Sequence, residues 1–179
     1  MIAWQINATG AIWRIKSVNK KLASVIATYL GFGLSPKAPG TVGSLATLPL
    51  AFAMCYYFGL TGLLIAAFIS IAIGIPATAA LIDGQEDKDP KRVVIDEVAG
   101  QLLTFVFMSG ILYHNLNAWW IYLTGFALFR FFDICKMGPV KFFDSKVKNA
   151  YGVMFDDVCA GLMAAVLLWL IAYGVKIYF

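Results

Sequence analysis

Five apolar stretches divide this 179-residue chain, at 45–59, 62–82, 98–113, 118–135 and 158–175, and charge is almost confined to the connections between them. A bilayer core takes about 20 helical residues, with a range of roughly 17–25. The second stretch meets that length alone, and the others meet it once flanking residues join them. Charged residues make up only 13% of the chain against 61% hydrophobic, where a soluble domain carries about a quarter charged. The expected fold is all-α: a polytopic membrane helical bundle of about five crossings, preceded by an N-terminal interfacial or re-entrant segment. Arg14, Lys16, Lys20 and Lys21 interrupt the apolar stretches near the N-terminus, so a signal peptide is not expected there.

Short connections organise the crossings. Gly59 and Gly62 bracket a tight reversal, and Gly110 with 114–117 makes another, which predicts two helical hairpins, 45–82 and 98–135, and a single last helix. On this threading all ten acidic residues, and every one of the fourteen basic residues except Lys176, fall on one side. The Lys/Arg bias orients membrane proteins and marks that side as cytoplasmic. The segment 22–33 is apolar but short, and it is expected to lie in the interface or re-enter. The domain division follows: 1–35 as a cytoplasmic or interfacial segment and 36–179 as a membrane-embedded catalytic domain. The net charge of +4 reflects this topology and does not point to nucleic acid. Cys55, Cys135 and Cys159 are scattered and form no disulfide framework or zinc cluster; Cys55 reads as apolar filling.

A structural bundle does not need acids at every charged helix end. Carboxylates near helix N-termini are favourable as caps and through the dipole, which accounts for Asp96, Glu97, Asp156 and Asp157 but not for Asp83 or Asp133 near C-terminal ends. The spacing Arg130–Asp133–Lys136 predicts one helical face, either as a boundary salt-bridge ladder or as a site in which Arg130 grips a phosphate bidentately and Asp133 ligates a hard metal. The pattern IDEVAG (95–100) recurs as FDDVCAG (155–161), which suggests two similar helix starts facing one site, with Asp96 a candidate N-cap. In LSPKAPGTVGSL (34–45), Thr41 and Ser44 are candidate caps of a helix starting near Leu45, and its N-terminus with Lys37 makes an anion seat. Carboxylates suit Mg²⁺, and basic groups suit phosphate. His114, the single histidine, falls on the opposite side as an interfacial loop residue. A small transporter with a charged cytoplasmic vestibule is the alternative of another class, although the middles of the crossings carry almost no charge.

The ordered stretches GFGLSPKAPGTVGSL, IDEVAG, FRFFDICKMGPV and YGVMFDDVCAG resemble the bacterial phosphatidylglycerophosphatase A family over roughly 31–161. The resemblance implies a Mg²⁺-dependent lipid phosphate monoester hydrolase that converts phosphatidylglycerophosphate to phosphatidylglycerol in the inner membrane, with its site facing the cytoplasm. Its partners are then that lipid and membrane lipids. A phosphatase of broader lipid-phosphate specificity is the nearer alternative. The resemblance carries weight onto Asp96, Glu97, Asp133, Asp156 and Asp157 as the catalytic acids, with Glu97, Asp133, Asp156 and Asp157 as the metal ligands. Lys37, Thr41, Arg130 and Lys136 are the phosphate-binding set. Attack by an activated water and an aspartyl-phosphate route both remain open. The chain departs from the family pattern at Met137, where proline is usual, and at 149–151, where glycines are, while Gly152 is retained.

Overall fold

The computed structural model describes residues 19–83 and 90–178, with side chains through 174. The sequence readings that fall on 1–18 and 84–89, including Arg14, Lys16 and Glu86, lie outside the described residues, as does the side chain of Lys176. The described residues are helical, without strands: α1 (Lys20–Ala27), α2 (Pro39–Ile82), α3 (Ile95–Leu103), α4 (Ser109–Leu112), α5 (Trp119–Cys135), α6 (Pro139–Lys146) and α7 (Ala150–Tyr178). Four helical spans are long and apolar enough to cross a membrane: 39–82, 95–112, 116–135 and 150–174.

The first span is two arms. Its 44 residues would run about 66 Å as one straight helix, but Gly59 has φ 57° and ψ −141°, outside the helical region. A Cβ placed on Gly62 would lie 2.8 Å from the Met54 carbonyl oxygen, although eight residues separate them by about 12 Å in a continuous helix. Gly43 packs on Val94 and Gly74 on Ile95, so positions nearly equidistant from Gly59 reach adjoining residues of one neighbour. The chain therefore turns back at Gly59, as the glycine bracket predicts.

The third predicted stretch forms the centre. Within 95–112, 72% of residues are buried, against 33–44% for the other spans, and α3 packs against both α2 and α7. Leu102, Phe105, Met108 and Leu112 fill the interior. Short 3-10 turns at Val106–Met108 and Leu116–Ala118 break the regular helix. α1, eight residues long, spans about 12 Å and is too short to cross. It buries Ala23 and Ala27 against the bundle, and the Ala27 carbonyl accepts the Val94 N–H at 2.9 Å. Cys55 is fully buried among apolar residues, and His114 packs edge-on against Tyr56 and tilted against Tyr113 in the turn before α5.

Three helix starts differ from the sequence expectation. α2 begins at Pro39, not near Leu45; its N-cap is Ala38 in the left-handed region, with no side-chain cap. Thr41 and Ser44 therefore lie inside the helix. α3 takes Val94 as N-cap, so Asp96 is the second helical residue rather than the cap. α7 begins at Ala150, capped by Asn149, whose side-chain oxygen accepts from the N–H groups of Tyr151 and Gly152 at 2.9 and 3.2 Å. Asp156 and Asp157 thus sit well inside the helix. Tertiary contacts hold these acids, not the helix end.

Candidate active site at the α3–α7 crossing

Two glycines let the acidic pairs meet. A Cβ on Gly161 would collide with the Gly100 carbonyl, and one on Gly100 with the Asp157 carbonyl. The backbones of α3 and α7 touch there, as small residues permit. Each glycine lies four residues beyond an aspartate, so the repeated pattern is the contact itself.

One turn from this crossing, one carboxylate oxygen from each of Asp96, Glu97 and Asp157 lies within 4.8 Å of the other two. Asp96 is 6% exposed and Asp157 3%. The first acid of each pair accepts the N–H of the second: Glu97 N–H to Asp96 at 3.1 Å, and Asp157 N–H to Asp156 at 3.0 Å. This shared local bond fixes one acid of each pair and leaves the other to project. Asp133, from α5, lies near enough for its charge to act on Asp157.

Arg130 joins three helices. Its Nη1 lies 2.6 Å from Asp133 and 3.7 Å from Glu97, and it donates to Ser44 Oγ at 3.3 Å. Ser44 in turn donates to the Gly40 carbonyl at 2.9 Å. Gly40, in the first turn of α2, packs so closely on Glu97 Oε1 and Arg130 Nη1 that a Cβ there would strike the carboxylate. The N-terminus of α2 therefore abuts the acidic cluster, with half-buried Thr41 beside it. Lys37 is exposed just before that helix, and among the described residues no ion pair engages it.

Lys136 departs from the predicted face. It is the C-cap of α5, with φ 45° in the left-handed region, so it leaves the row of Arg130 and Asp133. Its ammonium pairs with Asp144 of α6 and lies 3.4 Å from Asp156. Asp156 is directed to Lys136, whereas Asp96 is in the three-carboxylate group. Asp144 and Ser44 are partners that sequence reading missed as site residues. Asp144 stands in an unpatterned polar stretch, and only the turn after Met137 brings it back to Lys136. Gly138, with φ 55°, and Pro139 at the start of α6 make that turn. Asp144→Ala is expected to lower turnover only about fivefold, because the pair is nearly one-third exposed and such a bond is worth about 1 kcal/mol; steady-state kinetics measure this.

Among the described residues, the carboxylates of Asp96, Glu97, Asp133, Asp156 and Asp157 gather around two cations, Arg130 and Lys136, and Glu97 Oε2 is buried without a protein partner. Burying like charges without compensation is costly. The oxygens are hard donors, and opposed ligands on one such ion stand roughly 4–5 Å apart, matching the observed spacing. The residues present fit a divalent cation.

The sequence matches the family model described as phosphatidylglycerophosphatase A over residues 25–172. A Haemophilus influenzae protein named phosphatidylglycerophosphatase A is 35% identical over 149 residues, 83% of this chain and 88% of the relative. An Escherichia coli protein of the same name is 31% identical over 150 residues, 83% of each chain. A Bacteroides thetaiotaomicron protein provisionally named phosphatidylinositol-3-phosphatase is 34% identical over 151 residues, 82% of this chain and 91% of the relative. No solved structure matches the chain. With a family match over most of its length, and with the residues that carry the pattern gathered at one crossing of apolar helices, this chain belongs to the phosphatidylglycerophosphatase A family.

Proposed function

We propose that the protein hydrolyses the terminal phosphate of phosphatidylglycerophosphate, releasing phosphatidylglycerol and inorganic phosphate, at the cytoplasmic edge of a bacterial inner membrane and with Mg²⁺. The observation that carries the reading is the buried convergence of Asp96, Glu97 and Asp157 beside Arg130. Mg²⁺, when bound by carboxylates drawn from Asp96, Glu97, Asp133 and Asp157, supplies positive charge for the phosphoryl oxygens and acidity for a water molecule.

The chain's own residues do the rest. Arg130 is held between Asp133, Glu97 and Ser44, so its guanidinium is fixed before substrate arrives and presents donors to a phosphate oxygen. The first turn of α2, with Gly40 on the cluster and Thr41 next to it, aims free backbone N–H groups at the same anion. Lys37 draws the phosphate in from the aqueous side. Lys136, anchored by Asp144, supports Asp156 and adds charge at the rim. A carboxylate of the cluster takes the proton of the attacking water as its oxygen bonds to phosphorus, the ester phosphorus–oxygen bond breaks, and that proton passes to the alkoxide of the departing phosphatidylglycerol. The cytoplasmic orientation rests on the Lys/Arg distribution.

Phosphate release by purified protein in lipid tests the reading with three substrates: phosphatidylglycerophosphate, phosphatidic acid and phosphatidylinositol 3-phosphate. The expected result is release that requires Mg²⁺ and favours the first at least about tenfold in kcat/KM. Comparable release from all three would support the broader specificity that the name of the Bacteroides relative suggests. No release from any, by folded protein, would remove the phosphatase reading.

A further inference from the structure

The arms that hold the phosphate-side pair continue away from it as an apolar groove. Ser44 on α2 and Arg130 on α5 are joined at 3.3 Å. Leu48 and Phe52 follow Ser44 at intervals of four, on the same stripe of α2. Tyr122 and Leu123 precede Arg130 by two turns on α5. Between them, with Pro49 and Trp119, lies an open groove of about 350 Å³, about 11 Å below Arg130 by helix rise. Phe52 and Tyr122 close its floor, with ring centroids 5.9 Å apart. Pro49 has no N–H to give the carbonyl one turn back, so α2 lacks a ladder bond where the groove opens. The outer wall is Trp119 and Leu123, 64% and 51% exposed.

We infer that this groove seats one acyl chain of the lipid whose phosphate monoester lies at Arg130. The inference rests on the substrate reading above. Both ends of the arrangement stand on the same two helices, so a lipid with its charged group at Arg130 runs its chain down the seam between them into the groove. Apart from the hydroxyl of Tyr122 and the indole N–H of Trp119, the lining side chains are hydrocarbon, which matches an acyl chain and not a polar headgroup. A short acyl chain fills less of the groove than a long one, so the groove discriminates by chain length, while the headgroup is recognised at Arg130.

Two measurements test it together. The first uses two photoactivatable lipids with identical diazirine-bearing long chains, a phosphate-monoester lipid and phosphatidylcholine, each offered to the full chain in vesicles. The expected result is labelling of residues 48–52 and 119–123 by the monoester lipid in clear excess, reduced in Leu123→Trp, which fills the groove. Equal labelling by phosphatidylcholine would show a groove holding any surrounding lipid, and label elsewhere would place the chain on another face; either overturns the inference. The second compares dioleoyl with dihexanoyl phosphatidylglycerophosphate in the same variant. KM for the long-chain substrate is expected to rise about tenfold, with a clearly smaller rise for the dihexanoyl substrate; an equal change for both overturns it. Turnover of the dihexanoyl substrate by the wild-type protein reports on the reaction independently: selective labelling without turnover would remove the phosphatase reading and leave the groove.

Discussion

Replacing Asp157 with Asn is expected to lower kcat for phosphate release on the order of 10³-fold, because a lost carboxylate ligand removes several kcal/mol of charge stabilisation at phosphorus. The substitution keeps the shape of the side chain and removes its charge, so the α3–α7 contact at Gly100 is retained. Stability is expected to move the other way. Without divalent ions, Asp157 repels Asp96, Glu97 and Asp133, and a neutral amide in its place relieves that repulsion, so the variant should melt at the same temperature as the wild type or above it. With saturating Mg²⁺ the order should reverse, since an ion present at 100 times its Kd stabilises the wild type by about 2.7 kcal/mol. Thermal melts with and without Mg²⁺, alongside the rate, check both halves. A variant with near-normal rate and an undiminished Mg²⁺ response would remove Asp157 from the centre.

Gly161→Ala is expected to impair the enzyme without touching a charge. The new Cβ meets the Gly100 carbonyl and lies 2.8 Å from its carbon. That neighbour is backbone, which cannot rotate away, so α7 must shift from α3. Overpacking of this kind costs about 1–3 kcal/mol, or a melting temperature lower by about 5 °C. The larger effect is catalytic. Asp157 lies one turn from the contact, and a displacement of about 1 Å at a reacting centre costs on the order of 10²-fold. Gly110→Ala is the control, since nothing lies within 4 Å of its added Cβ, and it should leave rate and melting within about 0.5 kcal/mol. Equal behaviour of the two variants would mean that the crossing does not set the site.

The fold was largely legible because its signals are local. Apolar runs, the glycine at 59 and the charge-poor middles of the crossings each report their own segment. The recurrent aspartate–glycine spacing was also readable, and the structure turns it into a crossing. The details that escaped depend on contacts between distant segments. Asp156 and Asp157 read as charges entering a helix, yet Asn149 already caps it and the acids are buried by α3 and α5. Thr41 and Ser44 read as caps, yet Pro39 starts the helix earlier and frees Ser44 to meet Arg130. Lys136 read as a third member of a helical row because spacing alone cannot show a residue leaving the helix in the left-handed region. The division of labour between Asp96, in the cluster, and Asp156, toward Lys136, follows from how two helices cross, and no spacing within either one encodes it.

Binding of Mn²⁺, followed by electron paramagnetic resonance on the purified protein in lipid, tests the central claim most directly, because it asks for the ion without asking for turnover. The account predicts saturable binding to the wild type and to Asp144→Asn, with loss of that binding in Glu97→Gln and in Asp157→Asn. Undiminished binding in both cluster variants, or none in the wild type, would contradict a divalent centre at the α3–α7 crossing.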